Sequence, residues 1–103
     1  MIPYDQFLHN QQAAAEIAML SREVARYPFP KDWQINVARS SVVMTNPERS
    51  FTVKVDLDKR CLIDRGRGAA VKSKCIKCDS VALAWQQAKQ ALDRKLKPLP
   101  KDL

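Results

Sequence analysis

The chain has 103 residues, of which 46% are hydrophobic and 28% are charged, and its formal net charge is +7. This length suits one domain that can bury a core without the help of disulfide bonds or metal ions, and the composition excludes the disordered, fibrous and membrane-spanning classes. The longest apolar runs are far shorter than the ~20 residues that cross a bilayer, so no membrane partner is expected. Residues 1–10 lack the basic and apolar regions of a secretory signal, which predicts a cytoplasmic location.

A first helix is predicted between Asp5, a candidate N-cap, and Tyr27. It ends before Pro28 and Pro30, because proline removes a backbone donor and disfavours helical geometry in the residue before it. Apolar side chains recur within it at the spacing that puts them on one helical face: Ala13, Ile17, Leu20, Val24 and Tyr27.

The hydrophobic period then changes from 3.6 to 2, which predicts β-strands. One strand is expected over roughly 33–44, followed by a turn centred on Asn46 and Pro47. Segments 60–64 and 70–76 are alternatives for a third strand, and the sequence does not choose between them. The clearest strand begins at Phe51, where apolar and polar residues alternate. Its polar side chains face a side of the sheet that is expected to be solvated, and its apolar side chains face the opposite, buried side: Phe51, Val53, Val55 and Leu57.

A second helix is predicted after Asp79 or Ser80, either of which can cap it. Trp85 is expected to seat this helix on the sheet, and three cations near its end, Arg94, Lys95 and Lys97, suit the negative pole of the helix dipole. Its apolar stripe comprises Val81, Ala84, Trp85, Ala88, Leu92 and Leu96.

The element order is therefore helix, two or three strands, helix. It predicts an α+β fold in which two helices pack on one face of a small antiparallel sheet. Residues 1–97 are expected to form this single domain, and residues 98–103 a flexible C-terminal tail.

Positive charge is concentrated in segment 59–78, which carries seven of the 18 Lys and Arg residues and only one Asp. A local field of this kind attracts polyanions. Arg65 and Arg67 alternate with glycines, so they can fork onto phosphates or stack on bases while the backbone approaches closely. The predicted binding residues are Lys59, Arg60, Arg65, Arg67, Lys72, Lys74 and Lys77.

Nucleic acid is the favoured partner of this segment, an acidic protein surface is the alternative, and a solvated loop without a ligand also stays open. A single histidine, scattered carboxylates and the lack of a glycine-rich phosphate loop give no support for an enzyme or a small-molecule substrate. The predicted function is a non-catalytic binding module. The alternative is an accessory or inhibitory protein, of the kind that phages and plasmids encode, that docks on a larger protein.

The chain has three cysteines, an odd number that argues against a disulfide framework in a reducing compartment. Cys75 and Cys78 have the two-residue spacing of a zinc knuckle, and Cys61 and His9 could complete four ligands. His9 lies in or beside the first helix, so it would have to fold back onto the loop that carries the cysteines. The sequence therefore favours no cofactor, with Cys75 or Cys78 buried as a small apolar side chain.

Overall fold

The computed structural model describes residues 4–97 as two helices and five strands. The strands form one antiparallel meander in the order β1-β2-β3-β4-β5, which confirms the predicted α+β class with a helix at each end. The predicted tail, 98–103, lies outside the described residues. The elements are α1 (Tyr4–Arg26), β1 (Gln34–Val37), β2 (Ser41–Thr45), β3 (Phe51–Asp56), β4 (Arg60–Arg65), a short 3₁₀ turn (Gly68–Ala70), β5 (Lys72–Lys77) and α2 (Val81–Leu96).

Both helices pack on one face of the sheet, with α1 over β2 and α2 over β3 and β4. Members of the apolar stripes predicted for the two helices supply most of the helical half of the core, and Trp85 is buried as expected. Ala91 of α2 is also buried, although it was not in the predicted stripe. Within residues 4–97, neither helix is both long and apolar enough to cross a membrane. The core consists of Leu20, Val24, Val42, Met44, Phe51, Val53, Val55, Cys61, Ile63, Ala84, Trp85, Ala88, Ala91 and Leu92.

Local hydrogen bonds fix where the helices begin and how they meet. Ser80 is the N-cap of α2, because its hydroxyl accepts a hydrogen bond from the backbone N–H of Leu83 at 3.1 Å. The Tyr27 hydroxyl, just beyond α1, donates to Asp93 Oδ1 of α2 at 2.6 Å. Partial burial, together with the hydrogen bond and negative charge of Asp93, raises the pKa of Tyr27 above its usual value.

The prediction of one strand over 33–44 is wrong, because this segment folds as the β1–β2 hairpin. The Ala38 N–H donates to the Ser41 carbonyl at 2.8 Å, and Arg39 and Ser40 form the two-residue loop. Neither loop residue is a Gly, Pro, Asn or Asp, so the sequence contained only a weak turn signal. Both alternatives for the third strand form strands, β4 and β5.

The predicted turn between β2 and β3 is built on the buried side chain of Asn46. Its Oδ1 accepts hydrogen bonds from the backbone N–H groups of Ser50 and Phe51, at 2.8 and 3.1 Å. Strand β3 then alternates as predicted as far as Val55, with Phe51, Val53 and Val55 buried, whereas Asp56, expected on the solvated face, is buried too. Leu57 lies beyond the end of β3 and is half-buried.

The two edge strands extend beyond the cover of the helices. Every residue of β1 is exposed, and all residues of β5 except Ile76 are exposed. Three of the six residues of β5 are lysines, and lysines commonly protect open sheet edges from pairing with another chain.

Candidate nucleic-acid interface

The β4–β5 hairpin divides the basic segment 59–78 between two ends of the sheet. Arg60 pairs with Lys77 at one end of the ladder, and Arg65 pairs with Lys72 at the other. Each strand rises by about 3.4 Å per residue, so the two ends lie roughly 17 Å apart. The seven predicted binding residues therefore form two surfaces instead of one.

At the first end, which we call the Arg60 end (Asp56, Asp58, Lys59, Arg60 and Lys77), cations lie beside carboxylates. The Arg60 guanidinium contacts Asp56 Oδ2 at 2.9 Å and Asp58 Oδ2 at 3.4 Å. Asp56 is buried and also accepts a hydrogen bond from the backbone N–H of Arg60 at 3.1 Å. The hydrogen bond and charge of Asp56 raise the pKa of Arg60. These contacts between Arg60 and the two carboxylates stabilise the β3–β4 turn.

At the opposite end, four cations form a surface that we call the basic edge: Arg65, Arg67, Lys72 and Lys74. Arg65 lies opposite the buried Phe51, and Lys74 lies opposite the buried Ile63, so the register puts Arg65, Lys72 and Lys74 on the helix-covered side of the sheet. All four cations are exposed. Lys72 and Lys74 belong to the edge strand β5, which α2 covers little, whereas Arg65 is the last residue of β4 and Arg67 lies in the loop that follows. Within residues 4–97 none of the four forms an ion pair.

The loop that carries Arg67 has a defined shape. Gly66 adopts φ +106°, and a Cβ at this position would lie 2.6 Å from the Ala70 carbonyl oxygen, so only glycine fits without a shift of the backbone. The Gly66 N–H also donates to the Ser50 carbonyl at 2.8 Å, which ties the loop to the β2–β3 turn. The backbone between Arg65 and Arg67 is therefore held in one conformation at Gly66.

Arg65 packs on the core as well as facing solvent. Its guanidinium carbon lies 5.5 Å from the centroid of the Phe51 ring, and the ammonium group of Lys95 lies 5.8 Å from the same centroid. These are cation–π distances. Lys95 was predicted only to complement the helix dipole, and the sequence contained no signal that it would reach the ring beside Arg65.

The solvated face of the sheet, opposite the helices, has a different character. Asp64 and Ser73 are paired across β4 and β5, and Thr45 and Thr52 continue this row on β2 and β3. Lys54 is a half-buried cation on this face. The face therefore mixes neutral polar groups with both signs of charge and has a weaker positive field than the basic edge.

The cysteines lie on different sides of the sheet. Cys61 is fully buried opposite Val55 in the core, whereas Cys75 is exposed on the other face, opposite Leu62. The prediction that Cys75 or Cys78 is buried as a small apolar side chain holds only in part: Cys78 is half-buried against the core, Cys75 is exposed, and the fully buried thiol is Cys61. Burial, with the nearby Cys78 and Cys75 thiols, raises the pKa of Cys61 to about 11.

The fold does not assemble the four candidate zinc ligands. Cys61 and Cys75 point to opposite faces of β4 and β5, and His9 is exposed in the first half of α1. In the part of the chain that the structure describes, no three His, Cys, Asp or Glu side chains come together as a metal site.

Comparison with known proteins adds no further constraint on this site. No protein family, curated protein or solved structure matches the chain. The functional argument therefore depends on the geometry of the described residues.

Proposed function

We propose that the protein is a non-catalytic binding module whose basic edge contacts the phosphate backbone of a nucleic acid. The observation that supports this most directly is the β4–β5 register, which puts Arg65 opposite Lys72, with Lys74 on the same exposed side. Arg67 lies in the adjoining loop. With no ion pair to any of them among residues 4–97, these cations are available to phosphates.

The surroundings of the basic edge favour contacts to phosphates over contacts to bases. Phe51, the aromatic ring nearest to Arg65, is only 2% exposed. Sequence-tolerant recognition of single strands by stacking needs accessible rings, and base readout needs groups aimed into a groove. We therefore propose binding with little sequence preference, driven by counterion release.

Protection of an open sheet edge is a competing explanation for the lysines of β5. Lys72 and Lys74 would serve that purpose without any ligand. Arg65 and Arg67 lie outside β5, in the inner strand and the loop, where edge protection does not require a cation. The arginines therefore favour the binding role.

Fluorescence anisotropy with labelled DNA and RNA at several salt concentrations tests the proposal. Each phosphate contact contributes about 0.7–0.9 to the slope of log affinity against log salt, so replacing the four cations of the basic edge by Gln should flatten the slope by roughly 3. At ~0.1 M salt this corresponds to about a 10³-fold loss of affinity. Thermal melts of the variant must accompany the titration, because Arg65 packs on Phe51.

Two results would contradict the proposal: a parent protein that binds neither DNA nor RNA at low salt, and a folded quadruple variant that binds as well as the parent. An acidic protein partner would use the same cations. Its binding would survive nuclease treatment and show a shallower salt response, because apolar contacts contribute to protein interfaces.

A second candidate function, docking on a larger protein, is supported by a different surface. A groove between α1 and α2 is lined by apolar side chains that include Met19, Val81 and Trp85, and Met19 is 62% exposed. Glu16 and Glu23 also line it. If this groove holds a protein partner, Met19→Asp should abolish a nuclease-resistant pulldown and leave DNA and RNA binding unchanged.

A further inference from the structure

The basic edge continues along the same end of the sheet into α2. Phe51 begins β3 and pairs with Arg65 of β4, which in turn pairs with Lys72 of β5. Arg65 and Lys95 both contact the Phe51 ring, at 5.5 and 5.8 Å from its centroid, so the ammonium group of Lys95 lies over the next strand. Lys95 therefore extends the row of cations by one strand.

Lys31 extends the row further, towards β1. Lys31 and Lys95 both line a depression of about 420 Å³, which is bounded by Trp33, by Glu48 of the β2–β3 turn and by the last turn of α2. Both lysines are exposed, and neither forms an ion pair within the described range 4–97.

The resulting row runs across the strands instead of along them. Its members are Lys72 on β5, Arg65 on β4, Lys95 over β3, and Lys31 shortly before β1. Neighbouring strands are about 4.8 Å apart, so the row spans roughly 19 Å from β5 to β1. Measured along the axis of a duplex, this length covers about five to six phosphates of one strand.

We infer that one nucleic-acid strand crosses this end of the sheet and contacts Lys72, Arg65, Lys95 and Lys31. The inference rests on the proposed function and adds the path of the ligand. The competing path, along the β4–β5 hairpin, would pass the Arg60 end. There Arg60 is already paired with Asp56 and with the 81% exposed Asp58, whereas no cation of the crossing row forms an ion pair among residues 4–97.

Two charge-matched double variants distinguish the paths. Lys31→Gln with Lys95→Gln removes two exposed cations from the proposed path, and Lys59→Gln with Lys77→Gln removes two from the Arg60 end. Both change the net charge equally, so a difference between them reports position. The first pair should flatten the salt slope by about 1.4–1.8 and weaken binding by roughly 25–60-fold at ~0.1 M salt. The second pair should weaken binding by less than about 3-fold, because at this salt concentration the field of distant charges is screened over ~10 Å.

Glu48→Gln provides an independent test with the opposite sign. Glu48 faces the same depression as the two lysines, so removal of its charge should strengthen binding. The inference is overturned if the parent binds and the Lys31 and Lys95 pair loses no more affinity than the Lys59 and Lys77 pair, or if Glu48→Gln does not tighten binding. A parent that binds no nucleic acid would instead refute the proposed function itself, so the two failures are distinguishable.

Discussion

The two ends of the β4–β5 hairpin derive their cations from one basic segment but present different surfaces. At the Arg60 end, Asp56 and Asp58 neutralise the arginine, and the hydrogen bonds of Asp56 hold a turn. At the basic edge, no cation has a carboxylate partner among residues 4–97. A count of charges along the sequence therefore does not locate the positive field, because Arg60 is paired with two carboxylates of its own turn, and the β4–β5 register puts Arg65 and Lys72 at the other end of the hairpin.

The largest change in the free energy of unfolding is expected from a substitution in the core between the helices and the sheet. Trp85→Ala removes a buried aromatic side chain that packs against Tyr27, with ring centroids 6.2 Å apart, and should destabilise the fold by about 3–5 kcal/mol. Leu83→Ala, on an exposed part of the same helix, is the matched control and should cost under ~1 kcal/mol. Chemical denaturation measures both. A Trp85 variant as stable as the parent would mean that α2 is oriented differently on the sheet.

A smaller effect is expected at the Arg60 end, where the ion pair has a structural role. Arg60 donates to both oxygens of Asp56, from its backbone N–H at 3.1 Å and from its side chain at 3.0 Å. Asp56→Asn removes the charge and replaces one of these acceptors by an NH2 group, so one hydrogen bond is lost, which should cost roughly 1–3 kcal/mol. The salt slope for nucleic-acid binding should not change. Asp64→Asn is the control, because Asp64 forms no ion pair within residues 4–97. Equal stability of the two variants would remove the distinction between the ends.

Much of the fold was predictable because its signals are local. The apolar stripes of α1 and α2, the Ser80 cap and the alternation of Phe51, Val53 and Val55 depend on residues close in sequence. The β1–β2 hairpin was missed because its Arg39-Ser40 loop lacks a strong turn residue. Whether β4 or β5 formed could not be decided because each is short and is stabilised by pairing with the other.

The candidate site was predictable in composition but not in arrangement. The sequence identified all four cations of the basic edge, yet it grouped them with Lys59, Arg60 and Lys77. The register places Arg60 and Lys77 at the other end of the hairpin, about 17 Å from Arg65 and Lys72. Lys31 and Lys95 reach the same end only through the packing of α2 on β3. Such long-range contacts leave no periodic signal in the sequence.

Thiol labelling tests the register without any substitution and perturbs the fold least. At about pH 8, Cys75 should react quickly with a thiol reagent, and Cys61 should react only on unfolding, because it is buried and its pKa is raised to about 11. A slip of β5 by one residue would turn Cys75 inward and would also move Lys72 and Lys74 to the other face. Mass spectrometry identifies the labelled residue. Slow labelling of Cys75 in the folded protein would contradict the register.

The most direct test of the basic edge compares two pairs of lysines by salt-dependent anisotropy. Lys72→Gln with Lys74→Gln removes two cations from the basic edge, whereas Lys59→Gln with Lys77→Gln removes two from the Arg60 end. We predict that the first pair flattens the slope of log affinity against log salt by about 1.4–1.8 and that the second leaves it nearly unchanged. Equal slopes for the two folded, monodisperse variants would contradict the claim that the binding surface lies at only one end of the hairpin.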